Sequence, residues 1–360
     1  MSTQRFTHIF LCLRCSMSET LPMAAKDRRS STVEILDCTL RDGSYAVDFQ
    51  FTEGAIRSVL TGLEEAGVRF IELGHGLGLN AAECTPHPTR VSDARCFGIA
   101  SEALSSASWG MFCIPGIAEL DHLRQAVAAG MRFVRVGVDI TDVAPAEAFI
   151  ALAKDLGITA FANLMKTNVL GADGVTEAVR RCAEYGADTV YLVDSVGGYL
   201  PSEVGELFEK VGQSVTVPLG FHGHDNLSLA NANSLVAATS GARFVDTTLD
   251  GIGRGAGNTV TETFGAALHA QGRRTTYDFR ALAELSESVI RPLERLHDDR
   301  TYQLVGGITR THSSFFPLIS RCAKTANVDV FELMAAVAEI DRVHPAEAMV
   351  LEAASTMAAR

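Results

Sequence analysis

Two histidines separated by a single glycine, His222 and His224, stand at the end of the apolar run 219–222. On a β-strand, residues two apart point to the same face, so both imidazoles can reach one point. A lone histidine in an apolar strand is usually a core residue with satisfied hydrogen bonds. A pair at a strand end favours a divalent-metal site instead, because neutral imidazole is a common metal ligand.

A second chemical signal is the adjacent pair Arg41 and Asp42, which follows the apolar run 33–40. These opposite charges can form a structural ion pair or take part in a functional site. Together with His222 and His224, Asp42 supplies a third ligand and leaves coordination positions open for a substrate. Nitrogen and oxygen ligands suit manganese, iron, zinc or cobalt, and magnesium less readily.

Two further predicted strands end in polar residues. The glycine-rich run 251–258 could cradle an anion or simply turn the chain. Its last residue, Asn258, is a candidate fourth metal ligand or a support for the other ligands. Ser195, which follows Asp194, could donate a hydrogen bond to a carboxylate or could instead cap the following segment. These residues can cooperate only if the strand ends share one edge.

The elements that must position them alternate regularly from residue 33 onward. Short β-rich runs are predicted at 33–40, 69–73, 108–113, 132–138, 159–164, 189–193, 219–222 and 243–248. Helical patterns fall between most of them, at 53–66, 117–129, 145–155, 175–185, 202–211, 227–238 and 261–271. This alternation is typical of an α/β fold, and eight strands within about 240 residues match a (β/α)8 TIM barrel. A doubly wound sheet is the alternative, but no GxGxxG follows the first strand.

After residue 275 only helical patterns follow, at 278–296, 312–325, 330–338 and 345–358. We therefore predict a disordered tail over 1–32, a barrel over 33–275 and a helical C-terminal domain over 276–360. In a TIM barrel the carboxyl ends of the strands converge on one face, so the polar motifs are predicted to form one site.

Composition argues against several classes of function. A formal charge of −12 offers no general attraction to nucleic acid or to an anionic membrane. No apolar run approaches the ~20 residues that span a bilayer. The eight cysteines lack the spacing of a disulfide framework, which favours a reducing, cytoplasmic setting.

Six segments, in this order, resemble one superfamily of TIM-barrel metallolyases: TLRDGSYA (39–46), IELGHGLG (71–78), VDSVGG (193–198), HGHDNLSLANANS (222–234), VDTTLDGIGRGAGN (245–258) and HSSFF (312–316). That superfamily includes pyruvate aldolases, hydroxymethylglutaryl-CoA lyases and isopropylmalate synthases. Within it, the segments look most like the 4-hydroxy-2-oxovalerate aldolases. The resemblance extends from about residue 33 to the C-terminus.

The resemblance implies a role for each matching residue. Asp42, His222 and His224 would hold the metal, usually manganese in this family, with Mg²⁺, Co²⁺ or Zn²⁺ as other candidates. Arg41 would stabilise the enolate oxygen, and Ser195 would bind the carboxylate of a 2-keto acid. The implied reaction is aldol cleavage, in which a base removes the 4-hydroxyl proton, the C3–C4 bond breaks, and pyruvate enolate and an aldehyde are formed.

The chain departs from this family at two positions. After RDGS the aldolases carry a histidine taken to be the catalytic base, and here the residue is Tyr45; before SSF they carry a tyrosine, and here it is His312. An unperturbed tyrosine has a pKa near 10, about three units above a histidine, which would hinder proton removal at neutral pH by about 4 kcal/mol. We therefore predict that Tyr45 and His312 have exchanged places as catalytic residues. The alternative is a neutral change or a different substrate.

Two other functions stay open. A Claisen-type synthase or lyase of acyl-CoA and a 2-keto acid belongs to the same superfamily, but such enzymes typically carry an acidic residue after RDG, where this chain has Ser44. The other is a barrel that has lost its activity and only binds a partner or a metabolite. Tyr45 favours that reading, whereas the three retained metal ligands argue against it.

The aldolase resemblance also implies partners. The small molecules would be a 2-keto acid and an aldehyde. In the family the aldolase commonly pairs with an acylating aldehyde dehydrogenase that receives the aldehyde, so such an enzyme is a candidate partner. The helical C-terminal domain could dock this partner, cover the barrel mouth or make an oligomer contact. A homo-oligomer is a further candidate assembly. Segment 80–95 matches the family poorly, so the sequence does not identify the aldehyde.

Overall fold

A computed structural model describes residues 33–273, 275–296 and 299–359, so the predicted tail over 1–32 lies outside the described residues. The strands are Glu34–Leu40 (β1), Phe70–Leu73 (β2), Ser108–Cys113 (β3), Phe133–Asp139 (β4), Thr159–Met165 (β5), Thr189–Asp194 (β6), Leu219–Gly223 (β7) and Phe244–Thr247 (β8). They form a closed parallel barrel in sequence order, with β8 paired to β1. The predicted (β/α)8 barrel is confirmed, and each strand bound lies within one residue of its predicted position.

Helices follow the strands and cover the outside of the barrel. They are Glu53–Glu65 (α1), Ala81–Cys84 (α2), Asp93–Ala103 (α3), Leu120–Ala128 (α4), Ala146–Asp155 (α5), Ala172–Glu184 (α6), Pro201–Ser214 (α7), Ala230–Thr239 (α8) and Thr261–Ala270 (α9). Each longer helix buries one apolar stripe; in α1 the buried residues are Ile56, Val59, Leu60 and Leu63. In the described part of the chain, no helix is long and apolar enough to cross a membrane.

Helix α3 is absent from the sequence-based prediction. Gly98 lies near its middle, where glycine weakens a helix by about 1 kcal/mol relative to alanine. The helix forms because Ser92 caps its N-terminus, accepting a hydrogen bond from the N–H of Arg95 (3.4 Å). Burial of Phe97 and Ile99 against the barrel core adds the apolar contacts that stabilise it.

Phenylalanines fill the barrel interior near the N-terminal ends of the strands. Phe70, Phe133, Phe161 and Phe244 contact one another, and the ring centroids of Phe161 and Phe244 are 5.1 Å apart. Gly110 leaves room for this layer, since a Cβ there would lie 2.3 Å from the ring of Phe133. Because this end of the barrel is packed, a site can open only toward the carboxyl ends of the strands.

The described chain after residue 275 is helical, which confirms the helical appendage. Its helices are Phe279–Leu285 (α10), Arg300–Thr309 (α11), Phe316–Ala326 (α12), Val330–Ile340 (α13) and Glu347–Ala358 (α14). Helix α10 continues as a π-helical turn that ends at Ile290, earlier than the predicted residue 296. Helix α11 is not predicted, and its Gly306 permits close packing, since a Cβ there would lie 2.6 Å from the ring of Phe316.

Apolar packing divides this helical part between two cores. Leu282 and Ile290 pack with the barrel core. Ile319, Leu333 and Val350 instead belong to a second core formed by α12, α13 and α14. The domain boundary predicted between residues 275 and 276 stays a prediction.

Candidate metal and substrate site

The three predicted metal ligands meet at the carboxyl end of the barrel. Asp42 opens a 3-10 turn after β1, His222 lies in β7, and His224 follows it. The ligand atoms of all three lie within 4.8 Å of one another, and all three residues are buried. Nε2 of His222 is 3.6 Å from Oδ2 of Asp42.

Both imidazoles are oriented by hydrogen bonds at Nδ1. In His222 this atom lies 2.8 Å from Oδ2 of Asp246, and in His224 it lies 3.1 Å from the carbonyl oxygen of Gly257. Because carboxylate and carbonyl oxygens only accept, each Nδ1 carries a proton, which leaves Nε2 as the nitrogen through which the ring can bind a metal. Burial, reinforced by Arg254, holds the pKa of His224 well below its usual value, so this ring is in the neutral form that binds metals.

Asp42 supplies the negative charge of the group. Burial alone would raise its pKa, but the charge of Arg41, together with the N–H of Arg254, outweighs that effect and holds the pKa well below its usual value. Nη1 of Arg41 donates to Oδ2 of Asp42 at 2.7 Å, and the Arg254 N–H donates to Oδ1 at 3.0 Å. The carboxylate is therefore ionised, as a ligand of a divalent cation must be.

Asn258 lies next to these ligands with an oxygen that has no partner. Its Nδ2 donates to the carbonyl oxygen of Ile252 at 3.2 Å, whereas Oδ1 is buried without a hydrogen bond. Gly253 permits the approach, because a Cβ there would lie 2.0 Å from Nδ2 of Asn258 and 3.1 Å from Oδ1 of Asp42. A buried, unpartnered amide oxygen beside a carboxylate and two imidazoles fits a divalent ion with nitrogen and oxygen ligands.

A closed loop of buried charges supports the ligands. Oε2 of Glu72 accepts from Nε of Arg41 (2.7 Å) and from Nη1 of Arg135 (2.8 Å). Arg135 also pairs with Asp246, whose carboxylate holds His222. Since every charge in this loop faces an opposite one, the loop fixes both Arg41 and His222 in place.

Sequence reasoning missed Glu72, Arg135 and Asp246, although a signal was present. Each lies two residues after an interior phenylalanine, in a strand that is otherwise apolar, and each is buried. Charged side chains that point into a barrel interior need opposite partners there. Three such charges, on β2, β4 and β8, indicate an interior ion-pair network.

A second group of potential ligands shares His222 but does not suit a metal. It combines His222 with Cys38 and Asp246. Burial raises the pKa of the Cys38 thiol well above its usual value, so the thiol keeps its proton. Asp246 is already paired with Arg135. This group therefore belongs to the supporting network.

Above the ligands lies a cavity of about 700 Å³ whose lining includes Arg41, Tyr45, Ser195 and His312. The structure thus brings together the residues predicted to act on the substrate. Arg41 also stacks on the ring of Phe112, with its guanidinium carbon 4.7 Å from the ring centroid.

Tyr45 and His312 reach the cavity from different parts of the fold. The ring of Tyr45 rests on Gly76, where a Cβ would lie 2.2 Å from it, and burial raises the pKa of its phenol to about 12. His312 precedes α12, and its Nδ1 lies 2.8 Å from Oγ and 3.2 Å from N of Ser314. Burial lowers the pKa of His312 well below its usual value, and Arg254 and Lys166 lower it further.

Ser195 presents its hydroxyl hydrogen toward the cavity. Its Oγ accepts from the N–H of Lys166 at 2.9 Å, which leaves the O–H free to donate. The segment that follows is held by its neighbour, because Asp194 accepts from the N–H groups of Gly198 (3.1 Å) and Tyr199 (3.0 Å). Asp194, rather than Ser195, therefore caps the segment that follows β6.

The cavity lining also includes Asn163 and Arg254, which the sequence did not single out as site residues. Asn163 is buried and its Oδ1 has no hydrogen-bond partner. Arg254, known from the sequence only as part of the glycine-rich run, places its guanidinium beside His224. For Arg254, its position among glycines at a strand end was the available signal.

Solved structures share the architecture. The N-terminal domain of a putative aldolase from Bacteroides vulgatus matches with a TM-score of 0.64 at 24% identity, over 78% of this chain and 94% of that one. The carboxyl transferase domain of Rhizobium etli pyruvate carboxylase matches with a TM-score of 0.73 at 16% identity, over 92% of this chain and 61% of that one. At these identities the likeness concerns the fold alone.

Sequence relatives extend over nearly the whole chain. The 4-hydroxy-2-oxovalerate aldolase 2 of Nocardia farcinica is 35% identical over 331 residues, which is 91% of this chain and 95% of that protein. The 4-hydroxy-2-oxovalerate aldolase of Moorella thermoacetica is 34% identical over 328 residues, or 91% and 97% of the two chains. The HMGL-like family model matches residues 32–289. These matches confirm the resemblance carried by the six segments, and the chain belongs to the HMGL-like family.

Proposed function

We propose that this chain is a divalent-metal-dependent aldolase that splits a 4-hydroxy-2-keto acid into pyruvate and an aldehyde, or joins the two. The observation that carries the proposal is the buried group Asp42, His222 and His224 at the floor of a cavity that Arg41 also lines. Membership of the HMGL-like family supports it, as do the relatives named 4-hydroxy-2-oxovalerate aldolase.

Manganese is the proposed ion, with Asn258 as the candidate fourth ligand. One carboxylate, two imidazoles and one amide oxygen suit Mn²⁺, and the same set can hold Co²⁺, Zn²⁺ or Mg²⁺. When bound, a divalent ion supplies a Lewis acid that polarises the keto group of the substrate. The chain's part is to hold Asp42 ionised and to orient both histidines through the hydrogen bonds at Nδ1.

Arg41 and Ser195 are proposed to bind the two ends of the pyruvate unit. The guanidinium of Arg41 is fixed by Glu72 and Asp42, so it needs no rearrangement to meet negative charge that develops on the keto oxygen. The free hydroxyl hydrogen of Ser195 is suited to donate to the carboxylate.

His312 is the proposed base and Tyr45 the proposed hydrogen-bond donor. With a pKa of about 12, the phenol of Tyr45 keeps its proton at neutral pH. His312 is neutral, because burial and neighbouring cations lower its pKa. The N–H of Ser314 donates to Nδ1 of His312 (3.2 Å), which places the proton of the neutral ring on Nε2. To take the 4-hydroxyl proton, His312 must adopt the other tautomer, in which Nδ1–H donates to Oγ of Ser314 and Nε2 is free.

The proposal is tested by pyruvate release from 4-hydroxy-2-oxopentanoate, followed with lactate dehydrogenase. We expect release with added Mn²⁺ and none after EDTA. Absence of release from protein that still binds Mn²⁺ would contradict this substrate and direct the next assay to other aldehydes and to free CoA.

The wider assembly stays a prediction. An acylating aldehyde dehydrogenase is the proposed macromolecular partner, and a homo-oligomer the proposed state of the chain. A cytoplasmic location also stays a prediction. Co-purification with such a dehydrogenase would support the proposed partner, and the mass of the protein in solution would decide whether it is a homo-oligomer.

A further inference from the structure

Arg254 extends from the glycine-rich run into the cavity and contacts both the barrel and the helical part. Its Nη2 lies 3.0 Å from Nε2 of His224 and donates to the carbonyl oxygen of Ser195 at 2.9 Å. Its Nη1 donates to Oγ of Ser313, just before α12. The guanidinium therefore sits between the proposed metal ligand His224 and the proposed carboxylate-binding residue Ser195.

The three groups that the Arg254 guanidinium contacts, on His224, Ser195 and Ser313, are all neutral. Within residues 33–273, 275–296 and 299–359, no carboxylate forms an ion pair with the Arg254 guanidinium. The cavity's other arginine, Arg41, is neutralised by Asp42 and Glu72. A half-buried arginine without an anionic partner, facing a cavity, is typical of a site for a carboxylate or phosphate.

The contact with His224 also sets a condition on metal binding. The single lone pair of Nε2 can accept from Arg254 or bind a cation, but it cannot do both. A bound divalent ion must therefore displace Nη2 from His224, and the like charges of ion and guanidinium add to the displacement. Nη1 can remain on Ser313 while the displaced group turns toward the space beside Ser195.

We propose that Arg254 binds the carboxylate of the 2-keto acid, and that the divalent ion and this guanidinium compete for Nε2 of His224. Metal binding thereby moves Arg254 into position for the substrate. This inference rests on the proposed function, since it assumes a keto acid bound next to the metal.

The test uses two binding measurements on the full chain, neither of which depends on turnover. Mn²⁺ affinity is measured from the free-ion electron paramagnetic resonance signal, and oxalate, a keto-acid mimic, is titrated calorimetrically into the Mn²⁺-loaded protein. The variants are Arg254→Gln and Arg254→Lys. Arg57→Gln is the control, because Arg57 is exposed and paired with Glu102 on the outer helices.

The two affinities should change in opposite directions in Arg254→Gln. Mn²⁺ should bind at least about threefold more tightly, because a competitor and a like charge are gone, and oxalate about tenfold or more weakly, because a charge-assisted hydrogen bond is lost. Arg254→Lys should recover part of the oxalate affinity, and Arg57→Gln should match the wild type in both.

Each arm can overturn its own part of the inference. Unchanged oxalate affinity in Arg254→Gln would rule out carboxylate binding by Arg254, and unchanged or weaker Mn²⁺ affinity would rule out the competition. Thermal unfolding of each variant verifies that it is folded. If the opposite shifts appear but no 4-hydroxy-2-keto acid is cleaved, the inference stands as a keto-acid site and the aldolase proposal fails.

Discussion

His222 owes its orientation to Asp246, whose Oδ2 lies 2.8 Å from Nδ1. The same carboxylate pairs with Arg135, which also pairs with Glu72. The carboxylate that orients His222, a proposed metal ligand, therefore also belongs to the buried charge network. A carboxylate behind a metal-binding histidine both fixes its tautomer and makes Nε2 more basic.

This arrangement predicts different effects for two carboxylates that face Arg135. Asp246→Asn should lower Mn²⁺ affinity by about tenfold or more, because the support of His222 is weakened. Glu72→Gln should have a much smaller effect on Mn²⁺, since Glu72 does not touch a histidine. Both should be destabilising by a few kcal/mol, about 3–5 at most, because each leaves buried Arg135 short of one negative charge. Equal Mn²⁺ affinities in the two variants, measured with the unfolding curves, would contradict the proposed support of His222.

Asp37 in β1 makes stability depend on pH. It is fully buried and accepts from the Thr39 N–H (2.9 Å) and the Thr261 hydroxyl (2.7 Å), yet burial raises its pKa from 3.8 to about 6. The folded pKa exceeds the unfolded one, so the folded chain holds this proton more tightly. Its contribution to stability is complete below about pH 4 and is lost as the pH rises through 6, by about 3 kcal/mol.

The check is urea unfolding of wild type and Asp37→Asn at pH 4.5 and 7. Asparagine resembles the protonated carboxyl, so the variant should lose less stability between the two pH values, by about 2 kcal/mol. Because the other titrating groups are the same in both proteins, their effect on the pH dependence cancels when the two are compared. An identical pH dependence in the two proteins would show that Asp37 ionises without cost.

At the scale of elements, the loop after β8 shapes the proposed metal site through one small residue. Gly253 is not in the left-handed region, so alanine there is opposed by contacts rather than by backbone strain. Its Cβ would lie 2.0 Å from Nδ2 of Asn258 and 3.1 Å from Oδ1 of Asp42. The loop must move to make room, and Asn258 must move with it.

We therefore expect Gly253→Ala to lower Mn²⁺ affinity at least about tenfold while costing only about 1–3 kcal/mol of stability, the usual range for overpacking. Gly171→Ala is the matched control, because no atom lies within 4 Å of a Cβ at Gly171. Calorimetric titration with Mn²⁺ distinguishes the two. Wild-type affinity in Gly253→Ala would argue against Asn258 as a ligand or neighbour of the ion.

The elements themselves were largely predictable. Strand β3 has its predicted bounds, because apolar and β-favouring residues are flanked by clear turn signals. Helix α3 was missed, since a central Gly98 weakens its pattern and only tertiary burial reveals the helix. The local sequence pattern predicts an element when burial and intrinsic propensity agree. It does not predict an element that forms only because of tertiary packing.

At the scale of the whole molecule, the helical part completes the cavity. His312, at the start of α12, lines the same cavity as Tyr45, which follows β1. The predicted exchange of these two residues requires the C-terminal helices to fold back over the barrel mouth, and their shared cavity is consistent with it.

Under the exchange hypothesis, His312→Ala should reduce kcat about 10²–10⁴-fold, the range for loss of a general base. Tyr45→Phe, which removes one hydrogen-bond donor, should cost less. Steady-state kinetics on Mn²⁺-loaded protein compare the two, with metal content measured for each. A larger loss of kcat in Tyr45→Phe would contradict the exchange.

The proposed metal ligands can be predicted from the sequence, but the buried ion-pair network around them cannot. Asp42, His222 and His224 are recognisable because each ends a strand, and the ends of parallel strands meet. The ion pair between Arg135 and Asp246 joins residues 111 positions apart, so only the barrel's closure and register show it. The orientation of the Arg254 side chain is equally unpredictable from the sequence, because a glycine-rich loop can present its one long side chain in many directions.

The most direct measurement of the central claim is pyruvate release from 4-hydroxy-2-oxopentanoate by wild type and Asp42→Asn, each with Mn²⁺ and with EDTA. We predict release by the wild type with Mn²⁺ alone, and loss of both Mn²⁺ binding and release in Asp42→Asn. Release that persists in EDTA, or in Asp42→Asn without bound metal, would contradict a metal-dependent aldolase at this site.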